Sequence, residues 1–241
     1  MNRHTSTGAC TDAVRFDNNC GTHQFWSPRK DSIEEVLVQD DGKIVAVGTA
    51  GTVSTGSGGD YQCTVTRFAA DKNFENKDNS FGINGKMQPN FENTKDDWCK
   101  GGAIDANGNI VIVGYVKHGA SRYDATIGRL TPTGWWDTSF SGNGKATEHF
   151  DNDDMFRAVA IQPDGKIVAV GTSQYGHTGS NVLLARYNTD GTLDTSFGGG
   201  DGWQVTDFSN KDRGNDVKIQ SNGKIVVVGV ADYGGDTDDG R

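Results

Sequence analysis

The chain has 241 residues, a formal net charge of −9, 34 glycines against 4 prolines, and 34% apolar residues. Its acidity argues against nucleic acid or an anionic membrane as partner, because phosphate would be repelled. No apolar run reaches the roughly 20 residues of a membrane-spanning helix, and the opening MNRHTSTGACTDAV has no apolar core of a signal peptide.

The length suits one large all-β domain or two small ones, and the glycines suit many tight turns. Four cysteines (Cys10, Cys20, Cys63, Cys99) form no C-x-x-C pair. That even count predicts two disulfides in an oxidising compartment, with three pairings open.

One pattern occurs four times: VQDDGKIVAVG (Val38–Gly48), IDANGNIVIVG (Ile104–Gly114), IQPDGKIVAVG (Ile161–Gly171) and IQSNGKIVVVG (Ile219–Gly229), with closing glycines 66, 57 and 58 residues apart. An apolar end, a tight turn and a buried run closed by glycine read as strand, turn, strand. Such a period is sought first because it decides the architecture.

In chain order, Ala13–Phe16 matches an Arg-aromatic strand met again in later units. Residues 1–30 are therefore expected to hold the third strand of a closing sheet. Residues 31–93 form the first full unit. In it Ser32–Val38 looks locally like a short amphipathic helix, but its register against Phe156–Ile161 makes it a first strand. Residues 94–151 and 152–209 are the second and third units.

The third unit is the type. Phe156–Ile161 is its first strand, Lys166–Val170 its second, Asn181–Tyr187 its third and Trp203–Phe208 its fourth. Residues 210–241 supply the first two strands of a further unit. A four-stranded antiparallel sheet this small cannot cover both its faces alone. Radial stacking of copies into a β-propeller solves that and limits exposed edges. The expected fold is an all-β propeller closed at four blades, the last one composite and shared by the two chain ends, with a fragment of a larger ring as the rival.

The string IQPDGKIVAVG…LLARYNTDGTLDTSFGGGDG resembles the delta-60 repeat, a bacterial β-propeller domain family of unknown function. The likeness runs over residues 33–230 and is looser in the first unit, where Asn73–Lys77 is inserted. It implies a propeller and a secreted or surface setting, and it carries no catalytic residue.

The candidate residues fall into two groups. Arg67, Arg129 and Arg186 precede Asp78, Asp137 and Asp194 of the D-x-S-F turns by 11, 8 and 8 residues. Because they recur in every unit, they read as structure: the aspartate bonds its own turn and the arginine clamps the segment.

The second group lies on one loop face, where Thr52, His118, Tyr175 and Tyr233 each stand four residues after a closing glycine. Tyr175, His177, Tyr233, His118, Tyr115, Tyr123 and Trp98 could stack on a sugar ring, while Asp97, Asp154 and Asp212 could accept its hydroxyl hydrogen bonds. Nucleophilic catalysis has no motif: there is no G-x-S-x-G, and the five histidines share no spacing.

Calcium could occupy the acidic loops Asp151–Asp154, Asp96–Asp97 and Asp236–Asp239, although none fits an EF-hand. No other cofactor is expected. The expected function is a non-enzymatic, extracellular or cell-surface module binding glycan or protein. The alternatives are a self-associating assembly module of an adhesin or fibre, and a metal-assisted hydrolase or lyase at the central channel.

Overall fold

The computed structural model describes residues 2–4, 10–13, 31–51, 61–70, 76–92, 96–118, 122–174, 179–208 and 210–232. It is all-β, and no helix occurs among the described residues. Two short strands, β1 (Asn2–His4) and β2 (Cys10–Ala13), pair with each other. Three four-stranded antiparallel sheets follow, each a simple meander.

The first sheet is β3 (Ser32–Val38), β4 (Ile44–Gly51), β5 (Tyr61–Phe68) and β6 (Lys86–Met87). The second is β7 (Asp97–Ile104), β8 (Ile110–His118), β9 (Arg122–Leu130) and β10 (Lys145–Glu148). The third is β11 (Asp154–Ile161), β12 (Ile167–Ser173), β13 (Asn181–Tyr187) and β14 (Trp203–Thr206). A two-stranded sheet, β15 (Arg213–Ile219) and β16 (Ile225–Val230), ends the series.

Ser32–Val38 is a strand, so register outweighed its local helical pattern. The fourth strands are shorter than expected. Phe91, Phe150 and Phe208 stand beyond them, in the loops that lead to the next sheet. Of the expected closing strand Ala13–Phe16, Ala13 pairs with Asn2, and residues 14–16 lie outside the described ones. Beside β16 an open groove of about 350 Å³ is lined by Val182, Leu184 and Val227 among others.

In the three four-stranded sheets the second strands are the most buried, as continuous apolar runs covered on both faces should be: β4 and β12 are buried throughout, whereas β16 of the two-stranded sheet is largely exposed. Opposite faces of one sheet serve different neighbours. Ile110 and Ile112 pack with Val45, Val47 and Val65 of the first sheet, while Val111 and Val113 pack with Phe156, Leu183 and Tyr187 of the third. The first strands β3, β7, β11 and β15 touch one another in succession and so line a common axis.

Each first strand carries one extra residue, at Glu34, Lys100, Arg157 and Asn215. The closing glycine of each repeat, at 48, 114, 171 and 229, pairs with the residue just before that bulge. A Cβ there would meet a first-strand carbonyl oxygen at 1.7–2.0 Å. The glycine is therefore demanded by close approach of backbone to backbone, a role only a residue without Cβ fills.

Candidate binding face

The two ends of the sheets differ in kind. At the end holding the D-x-S-F turns, the same contacts recur. In the second sheet Arg129 Nε donates to Asp137 Oδ2 at 2.7 Å, and Nη1 donates to the Thr189 carbonyl of the next sheet at 2.6 Å. Asp137 Oδ1 accepts the Ser139 hydroxyl at 2.6 Å and its N–H at 3.1 Å.

The guanidinium also lies 4.9 Å from the Phe140 ring centre, and Phe140 fills the space under Gly191, whose φ is +86°. Arg67 with Asp78, Ser80 and Phe81 repeats the arrangement against Pro132 and Gly134. Arg186 with Asp194, Ser196 and Phe197 repeats the turn itself. Lys43 and Lys166 add a second cation to Asp78 and Asp194.

Burial alone would raise the Asp78 carboxyl, but the Ser80 hydroxyl and N–H bonds and the Arg67 charge overcome it and hold the carboxyl at about 2. Asp137 is lowered by the same balance. In Asp194 the Lys166 ammonium is the foremost cause of a depressed carboxyl. These groups are spent on the fold.

At the opposite end, the loops after second and fourth strands form the candidate face. Tyr175, His177 and Tyr233 lie outside the described residues, as do Asp236–Asp239. Trp98, Tyr115 and Tyr123 come together, joined by Tyr61. Trp98 stacks with Tyr61 (5.3 Å, 30°) and with Tyr115 (4.9 Å, 22°), and Tyr123 meets Trp98 and Tyr115 edge-on.

Register produces the cluster, since Trp98 pairs with Tyr115 and Tyr123 stands diagonal to it. The expected stacking role of Trp98 is narrowed, because the indole is half-buried in its stack with Tyr61 and Tyr115. Tyr61 is the exposed ring, at 36%. Burial pushes the Tyr115 hydroxyl up to about 12.

Asp97, Asp154 and Asp212 are also corrected. They are 3%, 0% and 0% exposed, so they are not presented to a ligand. Asp154 Oδ2 accepts the N–H groups of Phe150 and Asp151 at 2.7 and 2.9 Å, and Asp212 Oδ2 accepts that of Phe208 at 2.6 Å. Burial raises Asp97 to about 7 against the opposing N–H of Phe91, and burial raises Asp154 as well.

Their neighbours act alike: Asp96 accepts the N–H of Tyr61 at 2.8 Å and Asp153 that of Tyr123 at 2.9 Å. The acidic pairs Asp96–Asp97 and Asp153–Asp154 thus stitch successive sheets together, which weakens the reading of those loops as calcium sites.

His118 stands at the rim, its side chain 59% exposed, with Nδ1 3.3 Å from Asp124 Oδ2 and 3.6 Å from Glu92 Oε2. His149 Nδ1 lies 3.0 Å from Asp124 Oδ1. Sequence reading missed Glu92, Asp124 and His149. The available signal was register: Glu148 pairs with Ala125, so the next step of the ladder sets His149 beside Asp124.

Stacked four-stranded meanders around a common axis define a β-propeller repeat protein. Residues 162–197 match the model of a family described as "Domain of unknown function (DUF5122) beta-propeller". The match falls on the string that carries the delta-60 likeness, and the repeat is of a β-propeller family of unknown function. No curated protein matches the chain. A solved structure described as a candidate gluconolactonase is 12% identical with a TM-score of 0.35, covering 80% of this chain and 54% of its own. The chain thus spans about half the length of that structure.

Proposed function

We propose that the protein is a non-enzymatic binding module that recognises carbohydrate on the face where Tyr61, Trp98, Tyr115 and Tyr123 gather. The observation that carries this reading is the aromatic platform itself. Three rings buttress one another and leave Tyr61 at the outer end, a flat apolar surface for the C–H face of a sugar. Among the described residues the clamp end carries no comparable cluster: Phe81 and Phe140 are plugged under turns there.

The Cys63–Cys99 disulfide supports placement in an oxidising compartment, secreted or at a cell surface. Two rings expected on the same loops, Tyr175 and Tyr233, each four residues after a closing glycine, would extend the platform. Linked weak subsites raise overall avidity.

A glycan array, followed by saturation-transfer NMR on each hit, tests this reading. Tyr61→Ala should weaken binding about tenfold or more, the loss of a stacked ring being worth roughly 1.4 kcal/mol. Absence of binding to every glycan, or unchanged binding in Tyr61→Ala and Tyr175→Ala, would remove the proposal.

A further inference from the structure

We infer that Glu92, His118 and Asp124 form a binding site for a divalent transition cation, Zn²⁺ by its donor set, with His149 as the residue that positions Asp124. The donor atoms of the three residues all lie within 4.8 Å of one another. The separations of 3.3 and 3.6 Å from His118 Nδ1 to the two carboxylates suit one centre: ligands about 2.0–2.1 Å from a tetrahedral Zn²⁺ stand about 3.3–3.4 Å apart. One imidazole nitrogen and two carboxylate oxygens are ligands for Zn²⁺. They are too few and too nitrogenous for Ca²⁺, which takes 6–8 oxygens.

Asp124 supplies a second observation. It is 6% exposed, yet no main-chain N–H reaches it among the described residues. Its contacts are the imidazoles of His118 and His149, and its Oδ1 makes no hydrogen bond of sound geometry. The other buried acids of this face, Asp154 and Asp212, receive main-chain N–H groups. A buried carboxylate without such donors is costly unless a cation stands beside it.

The set also does not belong to the repeat. Asp124 is replaced by Gln62 and Asn181 in the neighbouring blades, His149 by Asn90 and Asp207, and His118 by Thr52 and Tyr175. Nothing in the common architecture requires these residues.

Arg122 Nη2 stands against both ring nitrogens of His149, nearer to Nε2. A guanidinium against that ring disfavours it as a direct ligand. His149 Nδ1 instead stands 3.0 Å from Asp124 Oδ1, on the far side of the carboxylate from the Oδ2 that faces His118. With three protein ligands and an exposed imidazole, a fourth position is left open to solvent or to a ligand oxygen on the face that carries Tyr61.

The test is calorimetric titration of Zn²⁺ into chelator-treated protein with Cys10 and Cys20 changed to serine, so that thiols do not compete. The same titration with Co²⁺ is followed by its visible absorption. One equivalent should bind saturably, with the intense bands of tetrahedral Co²⁺. His118→Ala, a change at an exposed side chain that the fold tolerates, should abolish saturable binding. His149→Ala should weaken binding by about tenfold or more while keeping the tetrahedral spectrum, and a large excess of Ca²⁺ should not compete. Lack of saturable binding, or equal binding in His118→Ala and Asp124→Asn, would overturn the inference.

Discussion

The joint between the first and second blades and the joint between the second and third occupy the same place in the repeat and are made differently. In the first, Cys63 of β5 is bonded to Cys99 of β7, with Cα atoms 4.9 Å apart. In the second, the equivalent positions are Ala125 of β9 and Phe156 of β11, and both belong to one buried cluster. Phe156 is fully buried and meets Phe150 and Tyr187 edge-on.

A third version occurs between β13 and β15, at Val182 and Gly214. A Cβ on Gly214 would meet Val170 at 2.3 Å and Val182 at 3.4 Å. What the repeat prescribes is a closely fitted space. Covalent bond, large-to-small packing and valine-to-glycine packing each fill it, as dense interiors require.

The largest expected effect is at the ring-filled joint. Phe156→Ala should cost about 3–5 kcal/mol through lost burial and the cavity left behind, read from chemical denaturation. Conversely, a cost near that of an exposed ring would mean the blades do not press together there. Reducing Cys63–Cys99, which closes 36 residues, should cost about 3–4 kcal/mol on the chain-entropy account. The same denaturation with and without reductant measures it, and the Cys63→Ser/Cys99→Ser variant should then show no response to reductant at this joint.

A third effect distinguishes the two ends of the blades by pH. Asp78, Asp137 and Asp194 have lowered carboxyls at the clamp end. Their stabilisation is present above the ordinary carboxylate range and is lost as pH falls below it, for Asp78 through about pH 2. Asp97, raised to about 7 at the other end, works in the opposite sense. The folded state binds its proton more tightly than the unfolded chain does, so stability falls as pH rises from about 4 to 7, by at most about 1.4 kcal/mol per pH unit. Asp97→Asn, which can still accept the Phe91 N–H, should flatten that decline and leave the acid limb in place. A melting-temperature series from pH 3 to 8 would show it, and an unchanged slope between 4 and 7 would assign the decline elsewhere.

Much of the fold was legible because the glycines and turns have local causes. The closing glycine answers the bulge it faces, and D-x-S-F builds its own hydrogen-bonded turn. These signals survive in a bare sequence.

The carboxylates of the loop face were misjudged despite a visible clue. Asp31, Asp97, Asp154 and Asp212 each stand 17 residues before a closing glycine. That recurrence marks them as structural for the same reason that it marks Arg129 and Asp137. The Glu92–His118–Asp124–His149 group was illegible for another reason: it depends on one step of strand register and on a loop from the preceding blade. That Trp98 would sit half-buried against Tyr61 and Tyr115 was not legible, because no pattern in one strand tells which rings of two others will meet it.

If the three joints are one space filled in three ways, the disulfide is transferable. In Ala125→Cys/Phe156→Cys, purified under oxidising conditions, peptide mass mapping should find residues 125 and 156 bonded within one chain, with Cys63–Cys99 intact. Free thiols at 125 and 156 in the folded protein, or pairing of either with Cys10 or Cys20, would contradict the stacking of equivalent blades.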